Sequence, residues 1–314
     1  MKKPILVFGE INLDIYINLE EPFVNATDST FKSKTNIKTG GNTWNIAKTL
    51  ALLGKETIFL CTSKKDPTIL YLIDCEESSE NLKIEWIDGI NTISPIFYAV
   101  DACNGPVLRG IDIKPQESIK KSFRQFVEHI ISKTSKLGNT YGVLASSIEP
   151  GILDFIIKSC HKNGIKLVGA VSSSPSAVSY LKYLSYLEIL ILNYEEAKLL
   201  SFTKSNQSNV EISLREFSRY TKYVILTNGD KGIKVFREGK VWLEHPAHKI
   251  KENFKNSLGA GDAFTSFLIS SLSDNTITSH DLDFATFGAS NTCQIESHIF
   301  NANQIINIKE KWKK

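Results

Sequence analysis

The 314-residue chain has a single methionine, and its positive charge is almost wholly lysine. Its five arginines (Arg109, Arg124, Arg215, Arg219 and Arg237) are scattered. Scattered arginines argue against base readout or a basic docking face, so no nucleic-acid partner is expected. Eighteen glycines and nine prolines are too few for a collagen-like or low-complexity chain. The five cysteines, Cys61, Cys75, Cys103, Cys160 and Cys293, show no CxxC spacing. That removes zinc ribbons and redox dithiols and leaves buried free thiols in a reducing compartment as the expectation. Long apolar runs are missing too: Lys2-Lys3-Pro4 leads into only Ile5 to Phe8 before Gly9-Glu10. So short a run makes neither a signal peptide nor a membrane span, and a cytoplasmic protein without a membrane partner is expected. No GxxxxGK[ST] P-loop occurs. A dinucleotide fingerprint over Gly259 and Gly261 fails because Phe264 stands where its third glycine is required.

What is present is ordinary globular composition, 42% hydrophobic and 23% charged with a net charge of +3, enough to build a sizeable core. Ile5-Leu6-Val7-Phe8 reads as a buried strand opening a parallel sheet. Residues 42–54 switch to helical spacing, with Ile46, Ala47, Leu50, Ala51 and Leu53 on one face and Gly54 as the stop. Glu56–Cys61 is a further strand. From about residue 115 the pattern alternates, with helices expected at 119–132, 150–162, 175–184, 194–200 and 212–220. Strands are expected at 141–145, 166–170, 187–192 and 223–227. A hairpin is expected over 233–243, and helices at 260–273, 278–293 and 302–312 close the chain. Strands separated by helices of this length predict an α/β fold with a doubly wound, mostly parallel sheet covered by helices on both faces. The strand-rich stretches 11–38 and 84–113 break that rhythm, and are read as a small second sheet over one edge of a single domain spanning 1–314.

Several segments could carry chemistry. Gly259-Ala260-Gly261-Asp262 opens a helix whose Phe264, Phe267, Leu268 and Leu272 share an apolar face. Glycines at a helix mouth let backbone N–H groups approach an anion, and a carboxylate beside such a cradle suits phosphoryl transfer to an alcohol. A plain helix start with a dipole-favoured Asp262 is the alternative. Gly40-Gly41-Asn42-Thr43-Trp44-Asn45 is a second glycine pair at a helix start, readable equally as a tight turn. Asn12 and Asp14 lie past the carboxyl end of the first strand, where open α/β sheets bind ligands; a carboxylate there can accept bonds from a vicinal diol, or simply form an Asx turn. Asn193, three residues before Glu196, could be only an N-cap. Thr227, Gly229 and Gly232 could be a plain turn. His245 and His248 are spaced HxxH beside Pro246, with no carboxylate completing a metal site.

In their order along the chain these landmarks resemble the PfkB/ribokinase family of ATP-dependent small-molecule kinases, over essentially the full length. The residues that carry the resemblance are Asn12-x-Asp14, Gly40-Gly41 with Asn45 and Ala47, Asn193-x-x-Glu196, Thr227-x-Gly229-x-x-Gly232 and Gly259-Ala260-Gly261-Asp262. The resemblance implies a ribokinase-like sheet with a small β lid from 11–38 and 84–113, closing over the substrate and able to form a homodimer interface. It implies Asp262 as general base toward a primary hydroxyl, with Gly259, Ala260 and Gly261 as the anion hole for the phosphoryl group of ATP. Asn193 and Glu196 would position Mg²⁺ through water, and Asn193, Thr227, Gly229 and Gly232 would line the nucleotide path. Asn12, Asp14, Gly40, Gly41 and Asn45 would hold the sugar or nucleoside, and a monovalent cation such as K⁺ is a further candidate.

Within the family the chain looks closest to pseudouridine kinases, on Ala26-Thr27-Asp28-Ser29, Leu50 to Gly54, Asn256 and the segment Val171-Ser172-Ser173 through Leu181-Lys182. The alternatives are a kinase for ribose, fructose, another nucleoside or a sugar acid, and a non-catalytic sugar or nucleoside sensor. An intact Asp262 with both glycines speaks against the sensor. Thr43, Gly169, Leu258, Ser266 and Ser146-Ser147 depart from the common pattern and leave the substrate open.

Overall fold

The computed structural model describes residues 3–24, 30–63, 65–76, 79–87, 94–112, 121–138, 140–145, 148–171, 177–205, 209–250, 254–272, 276–295 and 299–312. The sequence readings at Ala26 to Ser29, Ser146-Ser147 and Ser172-Ser173 lie outside these residues. The chain runs β1 (Ile5–Gly9), β2 (Asn12–Leu19), β3 (Ser33–Gly40), α1 (Asn42–Leu52), β4 (Thr57–Cys61), α2 (Pro67–Cys75), β5 (Leu82–Trp86), β6 (Ile96–Ala102) and β7 (Gly105–Asp112). It continues through α3 (Lys121–Ser135), β8 (Tyr141–Ala145), α4 (Pro150–Lys162), β9 (Lys166–Ala170), a 3-10 helix (Val178–Tyr186), β10 (Leu187–Asn193), α5 (Tyr194–Ser205), α6 (Val210–Phe217) and β11 (Tyr223–Thr227). β12 (Ile233–Arg237), β13 (Lys240–His245), α7 (Ala260–Ser271), α8 (Ser279–Thr292) and α9 (Ala302–Trp312) complete it.

Nine strands form one sheet in the order β13-β12-β11-β10-β9-β8-β1-β4-β5. Its pairs from β5 to β11 are parallel, and β12 and β13 are antiparallel. Successive strand residues point to opposite faces, and here both faces are apolar, as a doubly covered parallel sheet requires. Leu6, Phe8, Leu144, Leu190 and Val224 enter one core with α3 to α6. Ile5, Val7, Val143, Ile189 and Ile225 enter the other with α1, α2 and α7 to α9. The expected doubly wound α/β architecture is therefore present.

A second, four-stranded sheet has the order β3-β2-β6-β7. Several details differ from the sequence reading, and helix α2 has no counterpart in it. Residues 84–86, read with the small sheet, belong to β5 and pair with β4 at the edge of the large sheet. The expected helix at 175–184 is a 3-10 helix at Val178–Tyr186 among the described residues. Cys61, Cys160 and Cys293 are buried as expected, but Cys75 and Cys103 are exposed. Among the described residues no helix is long and apolar enough to cross a membrane.

Candidate active site

From β1 the chain winds through β4 and β5 to one side, then returns to β8 and proceeds through β9, β10 and β11 on the other. The reversal lies between β1 and β8, the kind of switch point where open α/β sheets bind ligands beyond their carboxyl strand ends. A cavity of about 1040 Å³ opens there. Glu10, Val171, Asn193 and Thr227, at or just past the ends of β1, β9, β10 and β11, line it together with the first turns of α1 and α7. Asn12, Asp14, Gly41, Asn45, Asn193, Glu196, Thr227, Gly259, Gly261 and Asp262 all line this one cavity. Gly40, Ala260, Gly229 and Gly232 lie outside its lining.

The glycines are explained by what approaches them. A Cβ on Gly40 would fall 1.9 Å from Asp14 Oδ2, so this position leaves room for the carboxylate. Gly41, at φ +104, caps α1, and a Cβ there would meet the Glu10 carbonyl oxygen at 2.9 Å. Gly259 caps α7 in the left-handed region with no side-chain hydrogen bond, and a Cβ on Gly261 would meet nothing within 4 Å. The Ala260 N–H donates to the Ser257 carbonyl at 3.3 Å, and the other first-turn N–H groups of α7 have no intrahelical acceptor, the requirement for cradling an anion. Gly232 serves the fold instead: a Cβ would strike the His245 carbonyl oxygen at 2.3 Å.

Asp262 lies in the first turn of α7, half-buried at the cavity floor. Burial pushes its carboxyl up to about 7, opposed by amide hydrogen bonds from Asn45 and Asn42 and reinforced by the charge of Asp14. Burial likewise raises Asp14 to about 6, against a hydrogen bond donated by Tyr16 Oη at 3.0 Å and the Lys38 charge. Glu196 is raised to about 7, again mainly by burial.

The small sheet hangs over this floor because β2 starts three residues after β1 ends. Its register sets Lys38, Asp14, Phe97 and Ile111 abreast across all four strands, hence on one face. Tyr16, two residues beyond Asp14, shares that face and packs on Phe97 with ring centroids 6.0 Å apart. Asp14, Tyr16, Phe97 and Ile111 all border the cavity. Tyr16, Phe97 and Ile111 are not among the sequence-derived site residues: strand alternation sets Tyr16 beside Asp14, and only the register adds Phe97 and Ile111.

The departures from the family pattern mostly have local reasons. Thr43 fills the space over Gly9, where a Cβ would lie 1.9 Å from its Oγ1. Gly169 makes room for Tyr180, whose hydroxyl donates to the Leu144 carbonyl at 2.9 Å. Ser266 Oγ donates to the Asp262 carbonyl at 2.7 Å. Asn256 Oδ1 accepts from the Leu258 N–H at 2.9 Å, shaping the approach to Gly259. The HxxH pair does meet a carboxylate: Asp283 Oδ1 lies 2.8 Å from His248 Nε2 and 3.4 Å from His245 Nε2. Among the described residues, even so, no cluster of three or more His, Cys, Asp or Glu could hold a metal ion.

A doubly wound sheet, a glycine-marked helix start with a carboxylate in its first turn and a small second sheet meet at one cavity. The chain belongs to the pfkB family of carbohydrate kinases, whose model matches residues 114–303. By family it is a carbohydrate kinase. A search of curated proteins returns no match. Among solved structures, ribokinase from Thermotoga maritima is 20% identical with TM-score 0.75, over 98% of this chain and 99% of that one. Arabidopsis thaliana ribokinase, complexed with ribose and ATP, is 18% identical with TM-score 0.73, over 98% and 99%. A Burkholderia thailandensis nucleoside kinase in complex with inosine is 15% identical with TM-score 0.69, over 98% and 95%.

Proposed function

We propose that the protein transfers the γ-phosphoryl group of ATP to the primary hydroxyl of a ribonucleoside, with pseudouridine as the first candidate. The observation that carries the reading is a set of unpaired acceptors. Asp14 Oδ1, Asn42 Oδ1 and Asn45 Oδ1 are buried without a hydrogen-bond partner among the described residues, and all three side chains border the cavity. Buried acceptors without donors are costly, so a polyhydroxylated ligand that supplies O–H groups is the natural complement. Beside them stands the apolar wall of Tyr16, Phe97 and Ile111. A bare sugar has no flat apolar face of matching size, whereas the base of a nucleoside does, and this favours a nucleoside over ribose or fructose.

In this reading Asp262 accepts the proton of the attacking hydroxyl, and the N–H groups at Gly259, Ala260 and Gly261 hold the charge on the transferred phosphoryl. Asp14 accepts hydrogen bonds from two ribose hydroxyls, with Asn12, Gly41 and Asn45 beside it. Gly40 makes room for Asp14, while Thr227 lines the nucleotide path. Gly229 and Gly232 shape the turn beyond it. The buried carboxylate of Glu196, with Asn193 beside it, fits magnesium held through water, since Mg²⁺ keeps much of its hydration; when bound, it would neutralise phosphate charge. A monovalent cation such as potassium joins the set on family resemblance alone, and a potassium titration of the rate tests it. The small sheet acts as a lid, and its outer face, where Ile37 and Tyr98 are exposed, is the proposed homodimer surface, testable by sedimentation.

The deciding experiment compares pseudouridine, uridine, inosine, ribose and fructose as acceptors for the parent and for Phe97→Ala. A nucleoside should lead for the parent. Its kcat/KM should fall by about tenfold or more in the variant, a loss of one well-packed aromatic contact, while ribose changes little. Ribose or fructose leading in the parent would overturn the nucleoside assignment.

A further inference from the structure

Asp262 does not stand alone at the mouth of its helix. The side-chain amide of Asn42 donates to Asp262 Oδ1. The amide of Asn45 donates to Oδ2 at 2.8 Å. Each carboxylate oxygen is thus held by its own amide. Asn42 and Asn45 are three apart at the start of α1, a spacing that puts both on one helix face. That face meets the first turn of α7, so the N-terminal ends of two helices converge on the same carboxylate, and both favour its charged form.

Asn42 is a residue the family motif did not single out. As a mere first-turn residue of α1 it could turn its amide to water. Instead the amide reaches a residue 220 positions away, while its own Oδ1 stays buried without a partner. That arrangement gives up one hydrogen bond to keep another, which makes the donation to Asp262 the purpose of the side chain.

We propose that Asn42 is a positioning residue for the base: with Asn45 it fixes the plane and direction of the Asp262 carboxylate in the cavity. The proposal rests on the reading of Asp262 as the base. Its second consequence is electrostatic. Two donated hydrogen bonds stabilise the carboxylate over the carboxylic acid, against burial and the negative charge of Asp14 on β2. Glu196 at the start of α5 and Tyr16 on β2 also sense the Asp262 charge. Without Asn42 the base should hold its proton to higher pH. When an acceptor enters, the free Oδ1 atoms of Asn42 and Asn45 are the natural partners for its hydroxyls, so the clamp and the acceptor share the same two amides.

The test follows the carboxyl of Asp262 directly, by carbon-13 NMR of the full-length protein labelled at aspartate. The Asp262 resonance is assigned by its loss in Asp262→Asn. In Asn42→Ala, its midpoint should move to higher pH by about one pH unit, the worth of one charge-assisted hydrogen bond. Asn42→Asp is the second variant. It places an acid in the first turn of α1, where the helix dipole favours one, so the fold is supported while the clamp is replaced by repulsion. Like charge beside Asp262 should push its midpoint further up than Asn42→Ala does, which a side chain turned away from Asp262 would not do. The acid limb of kcat/KM, measured with ATP and whichever panel acceptor the parent phosphorylates best, should move with the NMR midpoint. The loss of rate should be about tenfold deeper at low pH than at high pH, where only the lost hydroxyl contact of Asn42 remains. An Asp262 midpoint unchanged in both variants overturns the clamp. A midpoint that moves while the acid limb stays put overturns the positioning of a base. If the midpoint moves but the parent phosphorylates no acceptor, the clamp stands and the kinase reading of Asp262 fails.

Discussion

Asn193 and Glu196 hold one another reciprocally: the Asn193 N–H donates to Glu196 Oε2 at 2.8 Å, and the Glu196 N–H donates to Asn193 Oδ1 at 2.9 Å. This is a capping box at the start of α5, and it satisfies two backbone donors that would otherwise be orphaned. The structural reading of the pair is therefore present in full, and any metal role must be added to it. The pair also faces the cavity at the end of β10, beyond what a cap needs.

Glu196→Gln separates the two roles, because glutamine serves a capping box as well as glutamate does. The variant should be no less stable than the parent, because the cap is spared and a carboxyl that burial raises to about 7 is replaced by a neutral group. If the carboxylate also positions magnesium through water, the Mg²⁺ concentration for half-maximal rate should rise several-fold, with acceptor affinity unchanged. An unchanged magnesium titration would leave the pair as a cap alone.

Asp262 carries a second test, in stability. Its carboxyl sits at about 7 in the folded protein against an ordinary 3.8. Between those values the folded state holds a proton that the unfolded chain releases, so the group stabilises the fold at low pH and that contribution is lost as pH rises through about 7. Asn mimics the protonated acid at every pH. Asp262→Asn should therefore match the parent in thermal midpoint only below about pH 3.8, exceed it by a growing margin up to about pH 7 and hold that margin above it, while turnover falls by at least ~10²-fold. Parallel losses of stability in parent and variant, or near-normal turnover, would refute the buried base.

The large sheet was legible because its strands are short apolar runs punctuated by glycine, proline and helical spacing. Helix α4 matches its expected bounds, Pro150 to Lys162, because proline at its first turn and a Glu149 cap mark the start. Helix α2 carried the same signal, Asp66 capping with Pro67 behind it, and was passed over in the sequence. Strand β5 was joined to the wrong sheet because Leu82–Trp86 reads as half-buried, the pattern of an edge strand in either sheet. The floor of the site followed from motif order. Its roof did not: Phe97 and Ile111 come abreast of Asp14 only through register, which a shift of one residue would reverse. The bond from Asn42 to Asp262 joins segments 220 residues apart, and no local pattern announces it.

Gly40 supplies the last prediction, because its role is steric and can be tested without touching a functional group. Its backbone is not in the left-handed region, so alanine carries no intrinsic strain there and even restricts the unfolded chain. A Cβ would nevertheless lie within 2.3 Å of the Asp14 Cγ and both its carboxylate oxygens. Asp14 stands on β2, hydrogen-bonded by Tyr16 and abreast of Lys38, so it can escape only by leaving the rotamer that faces the cavity. If Asp14 reads two hydroxyls, each charge-assisted bond it loses is worth roughly 1.5–3 kcal/mol. Gly40→Ala should then lower kcat/KM for the acceptor by about tenfold or more, with the KM for ATP within about twofold of the parent. A 2′-deoxynucleoside, which lacks one hydroxyl of the diol, should be poor with the parent and lose comparatively little further in the variant. Equal losses for ATP and acceptor would place Asp14 away from the acceptor, and no loss of either would mean that Asp14 reads no hydroxyl at all.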